Sequence, residues 1–192
     1  MKDYSYKCLN RQEWSNEGYG LKVISPDSIE SIRLWRNMQM DVLRQTKKIS
    51  KIEQEDYFNK YIWPDMFLEK PKNILLCFYF RDIFIGYGGL VNLAWEHKRA
   101  EISFLLNNQD ATTVKIYTKH FMAFLKLIQN ISFLDLRFEK IFTETYSIRP
   151  HHISVLEASG MVLEGVLRNH ILVGDKFVDS LMHGMLRSEY EK

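Results

Sequence analysis

The amino-acid sequence predicts an α/β fold in which helices flank a mixed, mostly antiparallel central sheet. Strand-like and helix-like segments alternate along the 192 residues, and two pairs of apolar segments are joined by tight turns, at Arg81-Asp82 and at Gly174-Asp175. A hydrophobic content of 46% is typical of one ordinary globular domain. These observations favour a single sheet with its helices over two separate domains.

The N-terminal third predicts an extension, a strand and two helices. Residues 1–18 are polar with scattered aromatic side chains, so we expect them to pack outside the core pattern of a single domain at 19–192. A strand is predicted at 19–24, and the turn and cap at 25–28 introduce a helix with apolar residues at helical spacing. A second helix is predicted at 51–61, and the Trp-Pro pair that follows is expected to end it.

The rest of the chain predicts a meander of three strands, a long helix and a final hairpin. The long helix carries apolar side chains at helical spacing, and a glycine closes the last helix. In chain order the elements are strands at 73–80, 83–92 and 100–106, a helix whose buried face runs from Phe121 to Ile131, a strand at 140–147, a helix at 153–159 and strands at 161–173 and 177–186.

Charge and cysteine content exclude several classes of function. The net charge of +2 comes from acids and bases mixed along the chain, so no basic stripe indicates nucleic acid. Cys8 and Cys77 lie far apart in unlike settings, which argues against a disulfide framework or a zinc site, and we predict no metal. The N-terminus lacks an apolar signal core and no run approaches the ~18 apolar residues of a membrane span, so we predict a cytoplasmic protein without membrane contact.

Four segments together carry a family resemblance. The glycine-rich strand and the strand after it, at 84–106, are preceded by the helical segment 31–37 and followed by 156–165 and 174–179. In that order and at those spacings the chain resembles the GNAT acyl-CoA N-acyltransferases. The resemblance implies the GNAT fold, with the middle strands of the sheet splayed apart, and acetyl-CoA as the co-substrate.

The resemblance assigns the cofactor to the gap between the splayed strands. There the pantetheine arm is bound by main-chain groups, which places Phe104, Leu105 and Leu106 against it. The pyrophosphate of relatives rests on N–H groups of a glycine-containing loop, whereas the segment 107–118 has no glycine and is several residues longer. We expect a different anion-binding loop, with a weakened cofactor site as the alternative. Its candidate residues are Gln109, Thr112, Thr113 and Lys115, with Arg149 facing the phosphates.

The resemblance also indicates groups that move protons. Transfer to an amine needs a neutral nitrogen, so a base must remove a proton. Glu101 matches the position of that base in several relatives, although an ordinary carboxylate at a strand start is the alternative, and Glu144 on the facing strand is the other candidate. Leu156 replaces the tyrosine that relatives use as general acid. The candidate substitutes, close to it in sequence, are Tyr146, His151 and His152.

Acceptor recognition is expected from the first helices and from the mouth of the site. Guanidinium groups match phosphates bidentately, so two arginines near the first helix predict a site for the phosphates of a nucleotide. A tryptophan after the glycine-rich strand is predicted to stack on a base or sugar ring. Two residues of a later strand lie two positions apart, so their side chains are predicted to lie on the same face of the sheet. The candidate residues are Arg36, Asn37, Arg44, Trp95, Arg168 and His170.

We therefore predict an N-acetyltransferase that moves acetyl from acetyl-CoA to the primary amine of a small molecule. Residues 85–91, 100–104 and 42–45 look most like the enzymes that acetylate nucleotide-linked aminosugars in surface-polysaccharide synthesis, in the branch that also contains ribosomal-protein N-terminal acetyltransferases. Acetylation of a protein N-terminus is one alternative. A degenerate GNAT domain that acts as a non-catalytic binding module is another, and a homodimer is compatible with the sequence.

Overall fold

Eight strands form one sheet in the computed structural model, which describes residues 4–191. The strands are β1 (Glu13–Asn16), β2 (Tyr19–Val23), β3 (Ile74–Phe80), β4 (Ile83–Ala94), β5 (Arg99–Leu106), β6 (Lys140–Tyr146), β7 (Val162–Val173) and β8 (Lys176–Leu186). They lie in the order β1-β2-β3-β4-β5-β6-β8-β7. Neighbouring strands are antiparallel except β5 and β6, which run parallel, so the predicted mixed and mostly antiparallel sheet is confirmed.

Helices cover the sheet. They are α1 (Ile29–Met38), α2 (Lys51–Tyr57), α3 (Trp63–Asp65), α4 (Asn108–Thr112), α5 (Val114–Asn130), α6 (Pro150–Ala158) and α7 (Arg187–Tyr190). A π-helical turn over Phe58–Ile62 joins α2 directly to α3, so the prediction that Trp63-Pro64 ends the second helix is wrong.

The N-terminal extension belongs to the core, contrary to the prediction for residues 1–18. β1 pairs with β2, which makes it an edge strand of the sheet. Trp14 and Tyr6 are buried, and the Tyr6 hydroxyl accepts a hydrogen bond from the N–H of Leu75 at 2.9 Å. The scattered aromatic side chains of this polar segment are therefore its inward-facing positions. Residues 1–3 lie outside the described residues.

Helix α5 packs against the glycine-rich strand β4 and its neighbours. Phe124 is fully buried and packs edge-on against Phe78 and tilted against Phe104. A Cβ on Gly88 would lie 2.7 Å from the Phe124 ring and 2.2 Å from the carbonyl oxygen of Ser103. Gly88 therefore lets the helix and strand β5 approach β4 more closely than any side chain would allow.

The middle of the sheet splays apart as predicted. β5 and β6 are paired only at Arg99–Lys140, Ala100–Ile141 and Glu101–Phe142 within the described chain. Beyond that point β5 continues along β4, and β6 continues along β8. A gap therefore opens between the second half of β5 and the second half of β6.

Candidate active site

A cavity of about 220 Å³ occupies the gap between the splayed strands. Residues from both strands line it, together with residues from α1, from the loop after α1 and from α6. Its polar lining consists of Arg36, Arg44, Glu101, Ser103, Thr143, Glu144, Thr145, Tyr146, Arg149 and His152. The splay thus brings together residues that are far apart in sequence, and we call this space the central cavity.

Two glutamates in the central cavity bind the same nitrogen atom. Nη2 of Arg44 lies 2.9 Å from Oε1 of Glu101 and 2.6 Å from Oε2 of Glu144. The glutamate side chains are only 11% and 12% exposed, whereas the Arg44 side chain, from the loop after α1, is 52% exposed. Although partial burial acts in the opposite direction, the two carboxylates together raise the pKa of Arg44. The cavity therefore contains a cation site, which the chain's own guanidinium fills.

The second oxygens of the two carboxylates differ in their surroundings. Oε2 of Glu101 accepts a hydrogen bond from Nδ2 of Asn92 at 2.8 Å. Asn92 has a left-handed φ of 52° where the register of β4 shifts against β5, and this bulge turns its amide toward Glu101. Oε1 of Glu144 is buried without a hydrogen-bond partner among the described residues, and Nε2 of His170 lies 3.8 Å from it. Glu101 is held in place, while Glu144 retains an unused acceptor.

Tyr146 and Arg44 line both the central cavity and a second cavity. The second space, which we call the outer cavity, has a volume of about 670 Å³ and lies between the loop after α1 and strand β7. His170 and Arg44 line it with Tyr146. Burial raises the pKa of the Tyr146 phenol, so the hydroxyl is protonated at neutral pH. The outer cavity therefore adjoins the central cavity that contains the two glutamates.

A third cavity, of about 380 Å³, lies on the helix α1 side of the sheet. It shares Arg36, Val91 and Ser103 with the central cavity. Most of its remaining lining is apolar or aromatic, and includes Ile32, Ile49, Tyr57, Phe58, Leu75 and Tyr87. A largely apolar space therefore lies next to the central cavity.

Three side chains on the α5 and α6 side of the central cavity are linked by hydrogen bonds. Nη2 of Arg149 donates to the Tyr117 hydroxyl at 3.0 Å, and the same hydroxyl is hydrogen-bonded to Nδ1 of His152. Burial raises the pKa of Tyr117 to about 12. Burial, reinforced by Arg149, lowers the pKa of His152 well below its ordinary value, so its imidazole is neutral. The His152 ring stacks on Phe121 at 4.2 Å between centroids.

The His151 ring packs against Tyr117 at 5.8 Å between centroids, but its hydrogen bonds are made elsewhere. Its Nε2 lies 2.8 Å from Oγ1 of Thr118 and 3.2 Å from the carbonyl oxygen of Val114, in the first turn of α5. It does not line the central cavity, whereas His152 does. Tyr117 was not predicted, because its position four residues before Phe121 places it on the apolar face of α5, where sequence alone indicates a core residue.

The backbone of β5 faces the gap at every second residue. The carbonyl oxygen of Ile102 accepts from Oγ1 of Thr143 on β6 at 3.3 Å, and that of Leu106 accepts from Nε2 of Gln39 at 2.8 Å. Because backbone groups alternate along a strand, those of Phe104 are directed into the gap and those of Leu105 toward β4. The strand predicted to bind the cofactor therefore presents the backbone groups of Phe104 to the gap, whereas the carbonyl oxygen of Leu106 already accepts a hydrogen bond from Gln39.

The glycine-free segment after β5 is partly helical. Asn107 caps the short helix α4, and Oγ1 of Thr112 donates to the carbonyl oxygen of Gln109 at 2.8 Å. Thr113 precedes the long helix α5 without a side-chain cap, and Lys115 lies in the first turn of α5. The first N–H groups of α5 are therefore not capped by a side chain, which is the arrangement that an anion can use. The cofactor roles of these residues stay predictions.

Two of the predicted acceptor residues, Arg36 and Asn37, are hydrogen-bonded to other side chains or to the backbone. Arg36 donates to the Tyr87 hydroxyl at 2.8 Å and to Gln45 at 3.2 Å. Asn37 holds both the N–H and the carbonyl oxygen of Ile49 at 2.8 Å. These contacts fix the loop after α1, so Asn37 supports that loop rather than facing the cavities.

The other acceptor candidates differ in position. Nε1 of Trp95 donates to the carbonyl oxygen of Pro71 at 2.7 Å, and its ring packs edge-on against Phe138, so it lines neither the central nor the outer cavity. His170 lines the outer cavity, and Arg168 is exposed and lines neither cavity. The register of β7 shifts between Leu167 and Ile171, which breaks the alternation that predicted one shared face.

Two further findings concern metals and membranes. Within residues 4–191 no group of three or more His, Cys, Asp or Glu side chains is arranged to hold a metal ion. Among the helices described for this chain, none is long and apolar enough to cross a membrane.

Comparison with known proteins supports the resemblance. Residues 21–182 match the model of the acetyltransferase (GNAT) domain family. The chain is 22% identical, over 93% of its own length and 95% of the relative's, to the SPbeta prophage-derived uncharacterized N-acetyltransferase YokL of Bacillus subtilis strain 168. It also resembles two structures of Vibrio cholerae spermidine N-acetyltransferase, each at 19% identity. One is a complex with CoA and spermine (TM-score 0.78, 92% of this chain and 100% of that one), and the other is a dodecamer (TM-score 0.76, 91% and 97%).

Proposed function

This chain belongs to the family of GNAT acetyltransferases and is an acetyl-CoA-dependent N-acetyltransferase, and we propose that its acceptor is the primary amine of a small, positively charged molecule. The observation that carries this proposal is the convergence of Glu101 and Glu144 on a single nitrogen of Arg44. An ammonium group has the donors and the charge to take the place of that nitrogen. The amine would enter through the outer cavity and displace the exposed Arg44 side chain.

The reaction uses this cation site as the place where the amine loses its proton. The acceptor binds as an ammonium ion, and Glu101 takes one proton so that the nitrogen becomes a nucleophile. The nitrogen forms its bond to the thioester carbonyl carbon, and the C–S bond breaks with its electron pair on sulfur. The second proton of the nitrogen ends on the sulfur, which gives the amide and free CoA.

The acetyl donor is proposed to approach from the α5 and α6 side of the splay. The pantetheine arm would lie along β5 and use the backbone groups of Phe104, as a strand added to the open edge does. The pyrophosphate would rest on the uncapped start of α5 near Thr113 and Lys115, with Arg149 as a further cation. The thioester would then face Glu101 and Glu144 across the central cavity.

A polyamine is the acceptor class that these features favour. Spermidine and spermine carry several ammonium groups on an aliphatic chain, and the paired carboxylate site of the central cavity lies next to a largely apolar space. The solved spermidine N-acetyltransferases share the fold at 19% identity, a level that supports the fold alone. The proposal therefore depends on the carboxylate pair.

A nucleotide-linked aminosugar remains the second candidate, because Arg36 and Arg44 both line the central cavity. That acceptor requires Arg44 to leave the two carboxylates and bind a phosphate while the sugar amine takes its place. The matched proteins are an uncharacterized N-acetyltransferase and spermidine N-acetyltransferases, and neither name indicates a nucleotide sugar. A diphosphate near the two carboxylates is also less favourable than an ammonium ion.

Acetylation kinetics with a panel of acceptors tests the proposal. We expect activity with spermidine and little with UDP- or dTDP-linked aminosugars or with peptide N-termini. In Arg44→Ala the KM for spermidine should fall about tenfold, because the internal cation no longer competes for the carboxylates. If Arg44 binds phosphate instead, the same variant raises the KM for the nucleotide sugar, and a wild type that acetylates only nucleotide sugars contradicts the proposal. Arg137→Ala, an exposed residue before β6, is the matched control.

A further inference from the structure

The tautomer of His152 follows from its hydrogen bonds. Arg149 is a donor without acceptor capacity, so the Tyr117 oxygen accepts from it. The pKa of Tyr117 is about 12, so the phenol keeps its proton at neutral pH. A buried hydroxyl proton without an acceptor is costly, and Nδ1 of His152 is the other partner of this oxygen among the described residues. Tyr117 therefore donates to Nδ1, and the neutral imidazole carries its proton on Nε2.

The ring that carries this proton borders the central cavity. One edge of the imidazole meets Tyr117, one face stacks on Phe121, and the residue lines the central cavity. Leu156, one helical turn further along α6, lines the same cavity. Because Nδ1 is bonded to Tyr117, the Nε2–H is the polar group that the ring has left to offer the central cavity.

We propose that His152 is a catalytic residue that donates a hydrogen bond from Nε2 to the negative charge that develops on the thioester during acetyl transfer. A neutral donor fixed in a buried site stabilises such charge without having to reorient, and removing one donor of this kind typically costs about 100-fold in rate. The bond rearrangement is the one given above, and His152 neither gains nor loses a proton. Tyr117 is a positioning residue, because its hydroxyl sets the tautomer of His152, and Arg149 in turn orients that hydroxyl.

The neutral state of His152 is maintained from every side. Arg149 and His151 of its own helix and His183 of β8 disfavour a second positive charge, and Tyr117 of α5 offers Nδ1 a donor rather than a carboxylate. Burial is the largest of these effects and lowers the pKa of His152 most. The ring therefore stays a donor at Nε2 through the range in which an ordinary histidine titrates.

Two substitutions separate the hydrogen bond from the side chain's packing. In His152→Gln the side-chain amide places an N–H near the position of Nε2, whereas His152→Leu fills space without a donor. We expect kcat to fall about 100-fold in His152→Leu and to stay within about tenfold of wild type in His152→Gln, with the Kd for acetyl-CoA unchanged in both. A His152→Leu enzyme with wild-type kcat would overturn the proposal.

The tautomer itself is measured on the resting protein by NMR of ¹⁵N-labelled histidine over about pH 5.5 to 8. The expected spectrum has a protonated Nε2 and a bare Nδ1 for His152 throughout, and Tyr117→Phe should shift the ring toward the other tautomer and lower kcat. A proton on Nδ1 in the wild type would overturn the proposal. The inference rests on the acetyl transfer proposed above but not on the acceptor, so the NMR result decides it even if the acceptor class is wrong.

Discussion

The two glutamates of the central cavity differ in which of their carboxylate oxygens already accept hydrogen bonds, and this difference determines what each can do. Both oxygens of Glu101 are bonded, to Asn92 and to Arg44, so the position of its carboxylate is fixed. Glu144 shares Arg44 through one oxygen, and its other oxygen is buried without a hydrogen-bond partner among the described residues. A carboxylate held in a fixed position is suited to removing a proton from the amine. A carboxylate with an oxygen that can still accept a hydrogen bond is suited to binding the amine.

Replacement of Glu101 tests that division. In Glu101→Gln the amide cannot accept the ammonium proton, so kcat should fall about 100-fold or more while the Kd for acetyl-CoA stays nearly constant. The measurement is steady-state kinetics at saturating acetyl-CoA, with the exposed Glu96→Gln as the control. A fully active Glu101→Gln together with an inactive Glu144→Gln would transfer the role of base to Glu144.

Sequence identified most of the cavity's charged residues but not their partners. Glu101, Glu144, Tyr146 and Arg149 were candidates because of the family resemblance and their nearness to its motif positions, and all four line one cavity. Arg44 was predicted to bind phosphate, because a sequence shows a guanidinium but not the two carboxylates that fold onto it. Their roles in the reaction stay predictions.

At the scale of elements, the glycine-rich strand β4 lets a long aromatic helix lie close to the splayed edge. An alanine at Gly88 would place its Cβ against the Ser103 carbonyl oxygen and the Phe124 ring. We expect Gly88→Ala to lower the free energy of unfolding by about 1–3 kcal/mol or more, since a backbone oxygen cannot move aside as a side chain does.

Denaturant unfolding measures this effect, and Gly165→Ala on β7 is its control. A Cβ at Gly165 meets no atom within 4 Å, so that variant should change stability by less than about 0.5 kcal/mol. Equal stability of the two variants would show that the close packing of β4 against β5 and α5 does not limit stability.

Element type was predictable where the apolar pattern was long, and less so where short segments depend on tertiary contacts. The hairpin β7–β8, the helix α5 and the meander β3–β4–β5 follow their apolar patterns. β1 was missed because four residues with one buried position carry no alternation that sequence can reveal. The helix α4 replaces a predicted loop, since its cap at Asn107 is formed by a local hydrogen bond to Asp110.

At the scale of the whole molecule, one splay in the sheet connects two faces with different chemistry. The α5 and α6 face contributes Arg149, Tyr117 and His152, and the α1 face contributes Arg36 and Arg44. Glu101 and Glu144 lie between them, on the two strands that separate. A donor from one side and an acceptor from the other can therefore meet without opening the fold, which is the property that acetyl transfer requires.

The binding of spermidine to the CoA-bound protein, measured calorimetrically for wild type and for Glu144→Gln, tests the central claim most directly. A hydrogen bond to a charged partner contributes about 1.5–3 kcal/mol, so the Kd for spermidine should rise about tenfold or more in Glu144→Gln, while the Kd for CoA stays constant. A Glu144→Gln protein that binds spermidine as tightly as the wild type would contradict the claim that the paired glutamates hold the acceptor amine.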